Sequence, residues 1–394
     1  MTYDFDRVVE RTGTDSSKWD GLKTRFGVDA AIPMWVADMD FPSPQPVIDA
    51  LTRRAEHGVY GYTLRADAYY QAIEGWMQKR HQWNVERDWL MHSPGVVSAI
   101  AMIVDSYTQP GDKVVVQPPV YYPFMRVVNN LDRQIVNNPL KYENGTYNMD
   151  FEDLADKLDD PDVKLLILCS PHNPVGRVWT REELTHLGNL CLEKGVLVVS
   201  DEIHSDLVYK MYTHVPFASI SQEFADNSLT CIAPSKTFNL AGLQTSVVII
   251  PNEDLREKYK KTLGRYSLGG ANIFGTAALT AAYTHGEEWL DQLLDYLEGN
   301  LALVTAYMEH NIPAVKVVQP QGTYLVWLDF HELGLDNEAL DQFVLHKAGI
   351  ALDEGHIFGP GGEGFQRINI ACPRSVLVKA LDQLALAVKE FSNQ

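Results

Sequence analysis

Five short apolar runs recur through the middle of the chain: Lys113–Gln117, Lys164–Cys169, Val196–Ser200, Leu229–Ala233 and Thr245–Ile250. Each is continuously apolar rather than alternating, the pattern of strands covered on both faces. Between them, Ser98–Tyr107, Phe151–Leu158 and Arg181–Glu193 read as helices. The last opens on Thr180 followed three residues later by Glu183, a capping-box pair. Strands alternating with helices predict an α/β lobe built on a mainly parallel sheet.

After about Tyr283 the texture changes. Glu287–Asn311 repeats Trp289, Leu290, Leu293, Leu294, Leu297 and Leu301 at helical spacing. Short strands follow at Ala314–Val318 and Thr323–Asp329, then a helix over Asn337–Lys347 and a final helix from Ser375. This pattern predicts a smaller α+β lobe. The first 45 or so residues, rich in Trp, Met and Pro, are expected to pack against that lobe or against a partner subunit. A chain of 394 residues exceeds what one core comfortably supports, so two lobes are expected. The division predicted is 46–283 for the larger, with 1–45 and 284–394 forming the smaller.

Composition narrows the function classes. With 33 basic and 52 acidic residues the formal charge is −19, which argues against a non-specific grip on nucleic acid or anionic lipid. Met1 to Gly13 is charged and lacks the apolar core of a signal peptide, and Val96–Val104 is too short to span a bilayer. The four cysteines form neither a C-x-x-C pair nor a Cys/His cluster, so neither a metal site nor a disulfide framework is expected. Cys169 and Cys231 lie inside apolar runs, as buried thiols do. A reduced, cytoplasmic, soluble protein is the expectation.

In open α/β sheets, ligands gather beyond the C-terminal ends of the strands. Three of the predicted strands end on chemistry: one on Ser170-Pro-His-Asn173-Pro-Val-Gly176, one on Asp201-Glu-Ile-His204, one on Pro234-Ser235-Lys236-Thr-Phe-Asn239. An amide, a carboxylate and a lysine thus converge on one edge. A fourth element, Ser93-Pro94-Gly95-Val96-Val97, opens a helix whose free N–H groups suit a phosphate. Taken singly, the aspartate reads as a turn residue, the lysine as solvated and S-P-G as a plain helix start. In this order, at successive strand ends, they read as one site. Gly359–Gly364 follows no strand and opens no helix, so it is expected to be a mobile loop and not a nucleotide cradle.

These motifs give the chain a strong resemblance to fold-type-I pyridoxal-phosphate (PLP) enzymes of the aspartate-aminotransferase superfamily. More closely, it resembles the MalY/PatB group of cystathionine β-lyases, or C–S lyases. The likeness runs nearly end to end, through Asp4–Val9, Val36-Ala-Asp-Met-Asp-Phe41, His57-Gly-Val-Tyr-Gly-Tyr62 and Cys169–Gly176. It continues through Ser200–His204, Ser235–Asn239 and Phe365–Arg374. The resemblance implies that Lys236 bonds the cofactor aldehyde and later removes the substrate Cα proton. Asp201 would sit at the pyridine nitrogen, Asn173 at the phenolic oxygen and Tyr121 on the ring face. Gly95, Val96, Val97 and Ser235 would hold the phosphate, with Tyr62 reaching in from a second subunit of a homodimer with shared active sites. Arg367 would clamp the substrate α-carboxylate as a bidentate fork. His204 stands open between a second donor to the ring oxygen and a packed histidine.

The chain departs from the wider superfamily in two places. Ala233-Pro234 replaces a second hydroxyl, and Gln244, Thr245 and Ser246 stand where a phosphate-binding arginine is common. Phosphate binding is then expected to depend on backbone donors, hydroxyls and the partner. The function implied is β-elimination from cystathionine or related amino acids, giving thiol, pyruvate and ammonia. The alternatives are an aminotransferase and a regulatory protein that binds a transcription activator.

Overall fold

The apolar runs assemble into one seven-stranded sheet in the computed structural model, which describes residues 2–393. Met1 and Gln394, the outermost residues assigned to the smaller lobe, lie outside the described residues. The strands are β1 (Leu90–Ser93), β2 (Lys113–Val116), β3 (Gln134–Asn137), β4 (Val163–Cys169), β5 (Leu197–Asp201), β6 (Ser228–Ile232) and β7 (Ser246–Ile249). Their spatial order is β1-β7-β6-β5-β4-β2-β3. The pairs β6–β5, β5–β4, β4–β2 and β2–β3 are parallel, whereas β7 runs antiparallel to β6 and β1. Leu165 to Leu168 are fully buried, as an unbroken apolar run in a sheet covered on both faces requires. The edge strands β1 and β3 are only partly buried, so their sequences carry no such run.

The predicted helices between these strands form at Val96–Tyr107, Phe151–Leu158 and Arg181–Lys194. The capping box closes: Glu183 N donates to Thr180 Oγ1 at 3.2 Å and Thr180 N donates to Glu183 Oε2 at 2.8 Å. The same helix ends on Gly195 in the left-handed region, φ 67°, where a side chain would be strained.

A second, four-stranded antiparallel sheet contains β8 (Lys316–Val318), β9 (Leu325–Asp329), β10 (Asp353–Glu354) and β11 (Phe365–Asn369), in the order β8-β9-β11-β10. Helices Glu287–Asn311 and Arg374–Ser392 pack their apolar faces into one cluster with it, through Trp289, Leu293, Leu297, Leu377, Leu381 and Leu384. The helix expected over Asn337–Lys347 is α-helical to Gln342 and finishes as a π turn over Phe343–Lys347.

The N-terminal segment packs against this second sheet and its helices. Ile32–Pro33 pairs in parallel with Ile350–Ala351, and Asn369 N donates to Met34 O at 2.9 Å. Phe5 is wedged among Phe41, Trp289 and Tyr296, with ring centroids 5.0–5.6 Å away. Gly359–Gly364 lies between a 3₁₀ turn, Gly355–Phe358, and β11. A Cβ on Gly362 would meet Gly355 O at 2.1 Å, and one on Gly359 would press on Pro118 and Met125. All four cysteines are free and buried. Among the described residues no helix is long and apolar enough to cross a membrane.

Candidate active site

The carboxyl edge of the parallel strands aligns the chemistry. The registers set Cys169 beside Asp201 and Asp201 beside Cys231, so the carboxylate stands between two buried thiols on neighbouring strands. From β4 the chain turns through Ser170–Gly176. Gly176 adopts φ 72°, and a Cβ there would meet Pro320 Cβ at 2.4 Å, so only glycine fits. From β6 the chain passes through Ala233 into the short helix Pro234–Thr237, which carries Ser235 and Lys236.

These elements enclose a cavity of about 270 Å³. Gly95, Val96, Val97, Tyr121, Asn173, Asp201, His204, Ser235 and Lys236 all line it. The structure therefore brings together nine of the ten residues assigned to the cofactor. The tenth, Tyr62, is fully exposed on an irregular segment with Val59, Tyr60 and Leu64, away from this chain's own cavity. Arg367 does not line the cavity but stands directly behind it, with Nη1 donating to Asn173 Oδ1 at 3.0 Å.

Electrostatics distinguish four of these groups. The Asp201 carboxylate accepts one hydrogen bond, from Ile203 N at 3.1 Å, and burial raises its carboxyl to about 7. Lys236 is pushed down to about 8, first by burial and then by the Arg367 charge. Its Nζ donates to Ala37 O at 2.6 Å, an oxygen that also accepts from the Tyr324 hydroxyl at 3.0 Å. His204 is buried with Nδ1 unpartnered, and burial followed by the Lys236 and Arg367 charges holds its pKa well below the ordinary value. The Tyr121 phenol is raised to about 12, mainly by burial, so it is a neutral ring on the wall.

Those features fit pyridoxal phosphate. The helix Val96–Tyr107 begins at Gly95 without a side-chain cap, so its first amides point out of the helix unsatisfied by their own turn. Asp201 is a buried carboxylate short of a cationic partner, which a protonated ring nitrogen would supply. Lys236 has an amine whose neutral form is accessible near neutral pH. Ser98, Gln244 and Thr245 join the lining, adding polar side chains near Ser235 where no arginine is present.

Sequence reasoning missed two contributors. Ala37 acts through its carbonyl oxygen, and the segment around it is fixed by side chains of other motifs. Asn239 brackets Met39, accepting from its N at 3.0 Å and donating to its O at 2.9 Å, while Asn369 Nδ2 donates to Val36 O and Asp38 O. Asp38 and Asp40 pair with Arg11, and Asp40 with the buried Lys18 at 2.7 Å. The second is Asp353, whose Oδ2 lies 2.5 Å from Arg367 Nη2. Two-fold spacing on β10 and β11 is too short to mark it. Nearby, Trp76 donates from Nε1 to Asp206 at 3.0 Å.

Comparison with known proteins places this geometry. The model of the family "Aminotransferase class I and II" matches residues 33–384. The cystathionine β-lyase PatB of Bacillus subtilis (strain 168) is 50% identical over 98% of this chain and 99% of its own. Cystalysin from Treponema denticola, whose crystal structure contains pyridoxal 5′-phosphate, superposes with TM-score 0.95 at 39% identity, covering 99% of this chain and 100% of that one. The PLP-bound C–S lyase from Staphylococcus hominis gives 0.92 at 34% identity, over 98% of each chain.

Proposed function

Because the chain belongs to the class I and II aminotransferase family, we propose that it is a PLP-dependent carbon–sulfur lyase. It cleaves the Cβ–S bond of cystathionine or related cysteine S-conjugates to a thiol, pyruvate and ammonia. The carrying observation is the meeting of Lys236 and Asp201 in one cavity, in a chain similar end to end to a cystathionine β-lyase. When bound, the cofactor supplies an electron sink for the pair left on the substrate α-carbon.

The remaining work belongs to the chain. Gly95, Val96, Val97 and Ser235 would hold the phosphate, Asn173 and His204 the ring oxygen, and Tyr121 a ring face. Asp201 would keep a negative charge at the ring nitrogen. Lys236, with its lowered pKa, takes the Cα proton as a general base and can return it to the departing sulfur. A thiolate leaves with the electron pair of the Cβ–S bond. Arg367 would orient the α-carboxylate common to all such substrates.

The cystathionine β-lyase and the C–S lyase that match nearly the whole chain favour the lyase over an aminotransferase. A homodimer with Tyr62 of each chain completing the neighbour's phosphate site is supported by the exposed Val59, Tyr60, Tyr62 and Leu64. A cytoplasmic location is supported by four free thiols.

The test is product analysis with L-cystathionine. Homocysteine, pyruvate and ammonia should appear in equal amounts, with no need for a 2-oxo acid. Product formation that depends on added 2-oxo acid, without thiol release, would replace the lyase by an aminotransferase.

A further inference from the structure

The ion pair behind the site is built in an unusual way. Asp353 on β10 stands opposite Arg367 on β11 in an antiparallel pair, which puts both side chains on one face. Both are essentially inaccessible, at 1% and 2% exposure. Of the five N–H donors of a guanidinium, Nη2 uses its two on Asp353 Oδ2 at 2.5 Å and Trp35 O at 2.8 Å. Nη1 gives one to Asn173 Oδ1. Nε has no partner, and neither does Asp353 Oδ1. The two unpartnered buried atoms thus belong to the same ion pair. It is held by one bond where a two-bond, side-on arrangement is the stronger geometry. The guanidinium is instead shared among a carboxylate, an amide and a carbonyl.

We propose that Asp353 is the standing counter-ion of the carboxylate clamp, a positioning residue that limits how tightly Arg367 holds any α-carboxylate. The proposal rests on the reading of Arg367 as that clamp. A buried guanidinium with no counter-ion is an unstable state that any carboxylate relieves, so it would bind substrate, product and small anions tightly. Asp353 relieves it in advance. An arriving carboxylate then shares Arg367 with an anion already present, and the repulsion between them weakens its hold. Substrate and pyruvate both carry a carboxylate, so the same repulsion speeds exchange of product for substrate.

The experiment uses the holoenzyme and follows binding by the visible absorbance of the cofactor. L-Alanine serves as an α-amino acid with no β-leaving group, ethylamine as the same amine without a carboxylate, and pyruvate and acetate as competing carboxylates. Asp353→Asn should tighten L-alanine, pyruvate and acetate by at least tenfold while leaving ethylamine within threefold. Asp353→Glu, which keeps the charge, should stay near wild type. Asp353→Ser, smaller and neutral, gives the same reading should Asp353→Asn not fold. Damage to the fold does not tighten a ligand, so a structural role predicts the opposite sign. Unchanged or weaker carboxylate binding in the neutral variants overturns the proposal. So does equal tightening of ethylamine, or a Glu variant that behaves like Asn. Wild-type protein that binds L-alanine no better than ethylamine removes Arg367 from the clamp, and the proposal with it. Wild-type protein that binds L-alanine selectively but releases no thiol from cystathionine overturns the lyase reading alone.

Discussion

Thr237 Oγ1 donates to Asp206 Oδ2 at 2.7 Å, tying the short helix that carries Lys236 to the loop that leaves the Asp201 strand. The other oxygen of Asp206 accepts from Trp76 Nε1 at 3.0 Å and lies 2.8 Å from His81 Nε2. Beside it, Glu202 pairs with His214 at 2.9 Å, and the two histidine rings meet edge to face at 5.6 Å. Neither carboxylate lines the cavity. They brace the two segments that deliver Lys236 and Asp201 to it.

Asp206→Ala should therefore destabilise the fold as well as the site. Three groups lose their acceptor, and each buried donor left unsatisfied typically costs about 1–3 kcal/mol. Burial works against the Asp206 charge, but His81, Thr237 and Trp76 together hold the carboxyl below its ordinary value. Its contribution is therefore present above about pH 4 and lost as pH falls through the depressed pKa. Urea midpoints should differ widely at pH 7, with the gap narrowing below pH 4. A gap under about 1 kcal/mol at pH 7 would mean that these bonds are not part of what holds the Lys236 helix.

Lys236→Ala should abolish the visible band of the lysine-bound cofactor and essentially all turnover, because Lys236 is the only primary amine among the described lining residues. Protein circular dichroism should be unchanged, since the side chain makes one bond, to Ala37 O. A borohydride-reducible cofactor bond surviving in the variant would show that another lysine carries it.

Much of this site was legible because it follows strands. Asn173, Asp201 and Lys236 each come just after an unbroken apolar run, and such runs mark sheet interior whose carboxyl edge is where ligands bind. Edge strands β1 and β3 escaped notice because half-burial leaves no distinctive pattern. Ala37 escaped because a backbone carbonyl has no sequence signature. Asp353 escaped because its role depends on register with Arg367, 14 residues on, across a strand of two residues. The segment containing Asp38 and Asp40 was visible only as a resemblance. Its physical reason is a set of hydrogen bonds from Asn239 and Asn369 that no local pattern encodes.

Subunit sharing can be tested by mixing. Tyr62 is fully exposed in a stretch with Val59, Tyr60 and Leu64, and it is absent from its own chain's cavity. If it serves the neighbour, a heterodimer of Lys236→Ala and Tyr62→Phe chains contains one doubly impaired site and one intact site. Mixed and exchanged chains should regain up to about a quarter of the wild-type activity per subunit, the share expected for random pairing. No recovery, with exchange confirmed by mass spectrometry and both parents inactive, would show that each subunit is self-contained.

Asp201 gives the most direct electrostatic prediction. Its carboxyl is raised from 3.8 to about 7, chiefly by burial, with only the Ile203 amide donating to it. A carboxyl raised on folding contributes stability that is complete below its unfolded pKa and is lost as pH rises through its folded value. Cofactor-free protein should therefore lose stability between about pH 4 and pH 7 on account of this residue. At about 1.4 kcal/mol per pH unit the loss approaches roughly 4 kcal/mol by pH 8. Asp201→Asn keeps an acceptor for the Ile203 amide and carries no charge. Stripped of cofactor, it should be the more stable protein at pH 8, with the advantage shrinking toward pH 4. With cofactor bound, a protonated ring nitrogen at Asp201 would give the wild-type carboxylate its missing partner, so the advantage should vanish or reverse. Turnover should meanwhile fall by roughly 10²–10³, the usual loss for a key electrostatic group. Urea unfolding of stripped and reconstituted protein at pH 5 and pH 8 reads both effects. Equal stability of the stripped proteins at pH 8 would mean that Asp201 is not a buried charge awaiting a cation, and would remove it from the ring nitrogen.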